Sequence, residues 1–163
     1  MPKRYVTWHE IDSWSRWALN DLQEQIEECE RVHLIAIARG GWIPARLIAG
    51  LLEANGLKVT YDSVSASSYE GEVQGELMVD DSFEIPDTDV VVIVDDLVDT
   101  GETMEALVRI AQGKTNCEVL TCVLIEKDCT TFTPSSRGIV LEGGTWVVFP
   151  FELEDLHESQ QGD

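Results

Sequence analysis

Basic residues are scarce in this chain: 11 Lys and Arg stand against 31 Asp and Glu, for a formal net charge of -20 over 163 residues. A nucleic-acid backbone is held by clustered cations, so this balance excludes nucleic acid as a partner. Long apolar runs are also missing. None approaches the roughly 20 residues that a membrane-spanning helix needs, and the opening MPKRYVTWHE has no signal-peptide core. A soluble cytoplasmic protein with no membrane partner is the expectation. The 4 cysteines form no CxxC pair and have no nearby His at zinc-ligand spacing, which leaves free thiols. Cys117 and Cys122 lie in or beside an apolar run, where Cys acts as a small hydrophobe. Neither GxxxxGK[ST] nor GxGxxG occurs, which removes the commonest nucleotide-binding loops.

With 44% hydrophobic residues, 12 Gly and 5 Pro, the composition is that of a folded chain of single-domain size. Most of the acids, including those of Glu24 to Glu28 and of the tail after Glu152, read as a solvated surface compatible with a high-salt cytosol. Thr7-Trp8-His9-Glu10 reads as a capping box, followed by a helix whose apolar stripe is Ile11, Trp14, Ala18, Leu22 and Ile26. Trp8, Trp14 and Trp17 are expected to pack rather than to cage a ligand. Val32 to Ile37 is a buried parallel strand by its unbroken apolar character, closed by Ala38-Arg39-Gly40-Gly41. Pro44 then suits the first turn of a helix that Asn55-Gly56 stops. Lys58 to Ser65, Val90 to Val94, Glu118 to Ile125, Ile139 to Leu141 and Trp146 to Phe149 are further strands, with a helix over Thr103 to Ala111. The polar, acidic stretch 66–89 is too long for an ordinary connection and reads as a mobile functional loop or lid, with a short hairpin around Leu77 to Val79. Alternation of strands and helices predicts a three-layer α/β/α sandwich with a mostly parallel sheet. Ligands of such sheets sit beyond the carboxyl ends of the strands, which directs attention to the loops after Ile37, Val94 and Ile125.

After Val94 stands Asp95-Asp96-Leu97-Val98-Asp99-Thr100-Gly101-Glu102-Thr103. Two adjacent acids at a strand end suit vicinal ribose hydroxyls and the hydrated shell of a magnesium ion. The Thr-Gly-x-Thr turn opens a helix, whose free amides and positive dipole end suit a phosphate. The run VVIVDDLVDTGETM resembles the phosphoribosyl pyrophosphate (PRPP) signature of type I phosphoribosyltransferases. A receiver-like signalling domain also places acids at strand ends and a Lys after a later strand, as Lys127 is here. Such domains carry their acidic pair at the first strand, whereas here it follows the third.

The resemblance reaches most of the chain and is greatest to the small bacterial and archaeal xanthine-guanine and hypoxanthine-guanine enzymes. Tyr5-Val6-Thr7-Trp8 is similar to their opening, and Thr145-Trp146 with Pro150-Phe151-Glu152 to their base-binding end. One domain is implied, with a core over about 30–142, a base-binding hood from 1–12 and 143–163, and the loop 66–89. Arg39 and Gly40 would bind pyrophosphate, with Arg39 serving catalysis and a non-proline cis peptide at Arg39-Gly40. Ser68 and Tyr69 match the Ser-Tyr of the family's closing loop. Asp95 and Asp96 would hold ribose hydroxyls and Mg2+, Thr100, Gly101, Glu102 and Thr103 the 5-phosphate, and Asp99, also among the PRPP-binding residues, would be the general base beside the imidazole of the purine or would stabilise positive charge there. Lys127, Trp146, Val147 and Glu152 would bind the base. Glu126-Lys127-Asp128 departs from the family's Ala-Lys-Pro, and Glu152 replaces an aspartate. The implied reaction is phosphoribosyl transfer from PRPP to a 6-oxopurine in purine salvage, by a homo-oligomer, dimer or tetramer. A PRPP-sensing regulatory protein without turnover, or an enzyme for a pyrimidine or unusual base, would keep the same PRPP residues.

Overall fold

The computed structural model describes residues 1–70 and 74–152. Its elements are β1 (Lys3–Tyr5), α1 (Trp8–Gln25), β2 (Arg31–Ala38), α2 (Trp42–Ala54), β3 (Lys58–Glu70), β4 (Gln74–Val79), β5 (Val90–Val98), α3 (Glu102–Lys114), β6 (Glu118–Lys127), β7 (Ser136–Leu141) and β8 (Trp146–Val148). Six strands form one sheet in the order β4-β3-β2-β5-β6-β7, parallel except for β4, and β1 pairs with β8 in a separate two-stranded sheet. Helices cover both faces, so the central strands are apolar on both sides.

Alternation along the central strands sorts their side chains between the two layers. Val32, Leu34, Ala36, Val90, Val92 and Val94 pack with α1 and α2, while Ile35, Ile37, Val91 and Ile93 pack with Met104, Leu107 and Ala111 of α3. The α1 stripe is buried as its spacing requires, and its start is fixed by the capping box, with Glu10 N donating to Thr7 Oγ1 at 3.1 Å and Thr7 N to Glu10 Oε2 at 2.9 Å. Of the three early tryptophans only Trp14 enters the core; Trp8 and Trp17 are about half exposed. A third cluster of Val6, Ile11, Trp14, Leu124, Ile125 and Phe149 joins the two ends of the chain to the sheet. Of the segments expected to form a hood, residues 153–163 lie outside the described residues.

The short hairpin expected around Leu77 to Val79 is present and its strands reach further than expected. β3 runs on to Glu70 and turns back as β4, pairing Ala66 with Val79 and Ser68 with Leu77. The return to β5 is pinned. Phe83 is buried beneath α3, where Lys114 Nζ lies 5.0 Å from its ring centre, and the Asp89 carboxylate accepts from Glu30 N at 2.9 Å and Arg31 N at 2.8 Å. Its hydrogen bond with the Arg31 guanidinium, followed by those amides, holds Asp89 down at about 2.

Gly138 marks a close approach of α1 to the sheet. A Cβ there would stand 2.7 Å from Leu124 O, 2.7 Å from Trp14 Cβ and 2.9 Å from Trp14 O. Since two of these atoms are backbone and the third is a side-chain stem, the contact yields only if the helix moves away. Gly138→Ala is expected to lower the unfolding free energy by ~1–3 kcal/mol, the usual cost of overpacking, read as a shift of the urea midpoint; an unchanged midpoint would refute the close approach.

Candidate active site

Parallel pairing of β2 with β5, register Ala36 to Val94, brings the ends of both strands to the same edge of the sheet. Past Ala36 the chain turns through Ala38 to Gly41, with Gly41 N donating to Ile37 O at 2.8 Å and Trp42 N to Arg39 O at 3.1 Å. The non-proline cis peptide joins Ala38 to Arg39, one bond earlier than the Arg39-Gly40 position implied by resemblance. Two glycines are needed because the turn lies directly on β5. A Cβ on Gly40 would overlap the Asp96 carboxylate, and one on Gly41 would come within 2.5 Å of Val94 O.

A cleft of about 770 Å³ opens over this junction. Arg39 and Gly40 form one side, Asp95, Asp96 and Thr103 another, and Trp42, Ile43, Phe151 and Glu152 close it from the helix and hood sides. The structure thus gathers Arg39, Gly40, Asp95, Asp96, Thr103 and Glu152 around one volume. Trp42 and Ile43 carry no polar signal and were not anticipated. Phe151 stacks on Phe149 at 5.1 Å and meets Trp8 at 6.2 Å. Phe149 N donates to Glu152 Oε2 at 2.8 Å, which fixes this carboxylate at the cleft.

Asp95 and Asp96 are half-buried, and Asp96 N donates to Asp95 Oδ1 at 2.8 Å. Burial, and then the neighbouring Asp96, push Asp95 well above the ordinary carboxylate range; burial also raises Asp96. Neither has an ion-pair partner among the described residues. Two desolvated carboxylates without a cation fit Mg2+, which takes one or two carboxylates and completes its shell with water and substrate oxygens. No cluster of three or more His, Cys, Asp or Glu suited to a resident metal occurs among the described residues, so a cation here would depend on oxygens brought by a ligand.

Asp99 and Thr100 are exposed in the turn before α3, while Gly101 is buried with φ +94, the left-handed region that favours glycine. Thr100 Oγ1 accepts from Glu102 N at 3.4 Å. Ahead of α3 the turn offers a helix N-terminus to an anion. The turn after β6 braces it, Thr130 Oγ1 and Thr131 Oγ1 donating to Thr100 O at 3.2 and 3.4 Å. Sequence reading missed this brace because nothing local in Thr130-Thr131 distinguishes it from surface threonines.

Lys127, Trp146 and Val147 stand outside the cleft lining. Lys127 is buried, its Nζ donating to Thr145 O, to Glu142 O at 3.3 Å and to Gly143 O at 3.4 Å. Trp146 is 51% exposed on β8, and Val147 next to it is half-buried. The backbones of Ser68 and Tyr69 lie in β3; their side chains lie outside the described residues.

The acidic pair makes the ligand-free protein sensitive to pH in a definite direction. Because both carboxylates titrate above their ordinary 3.8 in the fold, the native state holds protons more tightly than the unfolded chain. The stability this confers is complete below about pH 3.8 and is lost as pH rises through the raised values. An Asp95→Asn, Asp96→Asn double variant lacks that loss. Without magnesium, its urea midpoint is expected to rise relative to wild type as pH increases from about 4 to about 7. A difference that does not change with pH would refute the assignment.

The model of the phosphoribosyl transferase domain matches residues 8–157. The chain is 30% identical over 161 residues to the xanthine-guanine phosphoribosyltransferase of Ruegeria sp. (strain TM1040), covering 91% of this chain and 85% of that protein. A purine phosphoribosyltransferase from Pyrococcus horikoshii Ot3 superposes with a TM-score of 0.71 at 27% identity, over 93% of this chain and 95% of the other. The xanthine-guanine-hypoxanthine phosphoribosyltransferase of Helicobacter pylori gives 0.77 at 20% identity, over 98% and 99%, and so speaks for the fold. With the family model spanning nearly the whole chain and the acidic pair and Thr-Gly-x-Thr turn lying where β5 meets α3, this chain belongs to the phosphoribosyl transferase family.

Proposed function

We propose that the protein transfers the 5-phosphoribosyl group of PRPP to a 6-oxopurine, guanine, xanthine or hypoxanthine, with release of pyrophosphate. The observation that carries this reading is the meeting of the Arg39-Gly40 turn, the Asp95-Asp96 pair and Thr103 on one cleft. Names of the relatives point the same way: the Ruegeria protein is a xanthine-guanine and the Pyrococcus protein a purine phosphoribosyltransferase. In the reaction a ring nitrogen of the purine bonds to C1 of the ribose as the C1–oxygen bond to pyrophosphate breaks, and the imidazole proton passes to a base. Such chemistry asks the protein mainly for position and electrostatics.

Asp95 and Asp96 hold the ribose hydroxyls and would hold Mg2+, which supplies charge neutralisation for the pyrophosphate when bound. Arg39 and the Gly40 amide meet the leaving group, and Thr100, Gly101, Glu102 and Thr103 take the 5-phosphate at the start of α3. Asp99 receives the imidazole proton. Ser68 and Tyr69 close over the pyrophosphate from the β3–β4 hairpin. Lys127 donates to the purine O6: its contacts to Glu142 O and Gly143 O are long, and a base oxygen displaces the weaker of them. The exposed face of Trp146 stacks on the base, with Val147 and Glu152 completing its surroundings. Assembly into a dimer or tetramer is part of the same reading, the half-exposed Trp42 and the exposed Tyr61 beside the cleft being apolar surface for such a contact. No helix among the described residues is long and apolar enough to cross a membrane, and we place the reaction in the cytoplasm.

A panel of free bases with PRPP and magnesium, read by pyrophosphate release, tests the function. Turnover of a 6-oxopurine and poor use of adenine are expected, since the exocyclic amine of adenine faces the Lys127 ammonium donor to donor. Lys127→Gln should narrow the guanine to adenine ratio of kcat/KM while PRPP affinity persists. Trp146→Ala should weaken all bases alike, by the ~1–3 kcal/mol usual for stacking on an aromatic. Efficient turnover of adenine or orotate would overturn the purine assignment, and absence of any pyrophosphate release would overturn the transferase reading.

A further inference from the structure

Asp99 presents a problem of aim. It sits exposed in a turn, where the backbone leaves its side chain free to rotate, yet proton transfer needs a carboxylate oxygen in a fixed direction. The contact that the structure gives this carboxylate comes from a thiol: Cys129 Sγ donates to Asp99 Oδ1 at 3.4 Å. We propose that Cys129 is a positioning residue for the reaction, its thiol holding the Asp99 carboxylate toward the base. The inference rests on the reading of Asp99 as proton acceptor.

Three features of the turn after β6 support it. Cys129 is flanked by contacts that fix its own place, with Asp128 Oδ1 accepting from Gly143 N at 2.8 Å and Thr130 and Thr131 bonded to Thr100 O. Consecutive residues 129, 130 and 131 therefore meet consecutive residues 99 and 100. Room for the sulfur is made across the turn by a glycine, since a Cβ on Gly143 would lie 2.5 Å from Cys129 Sγ. Chemistry supplies the last feature: a thiol is a weak donor, so it orients a carboxylate while leaving it able to accept a proton.

The charged groups that face the thiol are Asp99, from the turn after β5, and its own neighbour Asp128. Cys129 is exposed; the desolvation it does undergo, then the hydrogen bond and charge of Asp99, and then Asp128 raise its thiol above the ordinary 9.0. It stays a donor through neutral pH. Once ionised, at a pH above the ordinary thiol range, it repels the carboxylate it had held.

The test compares wild type with Cys129→Ala, Cys129→Ser and Asp99→Asn, measuring kcat and KM for guanine and PRPP from about pH 7 to pH 10, with thermal unfolding as the check on folding. Cys129→Ala is expected to lose kcat by about 10- to 100-fold, the scale of a misplaced catalytic group, with KM for PRPP and the melting temperature unchanged. Cys129→Ser, which keeps a donor, should recover most of that loss. Serine does not ionise in this range, so its kcat should persist at high pH where wild type declines. A merely structural cysteine would not separate the two profiles. Full kcat in Cys129→Ala alongside an impaired Asp99→Asn would remove Cys129 from the mechanism and leave the reading of Asp99 standing. Unimpaired Asp99→Asn would overturn both.

Discussion

Parallel pairing of β2 with β5 is the constraint on which the site depends. Because Val32 to Ala36 pair in step with Val90 to Val94, the first residues past each register face each other across the sheet edge: the turn 38–41 on one strand and Asp95-Asp96 on the other. Crossing connections in a parallel sheet put helices on its faces and leave this carboxyl edge open to ligands. Contact between Gly40 and the Asp96 carboxylate, and between Gly41 and Val94 O, is the packing expression of that register. A slip of one residue would turn the buried valines of β5 toward the wrong layer, so the core that fixes the register also fixes the distance between the turn 38–41 and the acidic pair.

What was legible in the sequence was legible through local signals. The α1 stripe and its capping box involve residues within a few positions of each other, and the unbroken apolar run at Val90 to Val94 is readable without knowing its neighbours. The turn from Asp95 to Thr103 combines acids, hydroxyls and a glycine in a pattern that few structural roles would require. Features created by distant partners were not legible. β1 is three residues of ordinary polarity, Lys3 to Tyr5, and is a strand only because β8 pairs with it from the other end of the chain. A hairpin around Leu77 to Val79 was legible, but not that β3 continues past Ser65 to Glu70 to meet it, where composition alone suggests a loop. Lys127 would be a surface lysine by type; β6 carries it two residues past the expected strand end into a nest of carbonyls from residues 142, 143 and 145. The bond from Cys129 to Asp99 joins residues whose proximity only the fold reveals.

The arginine ion pairs among the described residues lie away from the cleft. Arg4, Arg16, Arg31, Arg109 and Arg137 each pair with an acid away from it, and exposed pairs of this kind are worth little to stability. Arg39 stands at the cleft without an ion pair among the described residues, facing a volume that also holds two desolvated carboxylates. In a chain of net charge -20, a free polyanion is repelled by most of the surface. One that arrives with a cation presents a smaller net charge, and carries what both halves of the cleft lack: negative oxygens for Arg39 and the start of α3, and positive charge with hydroxyl donors for Asp95 and Asp96. The same desolvation that raises both carboxylates would strengthen each of those contacts to a bound ligand.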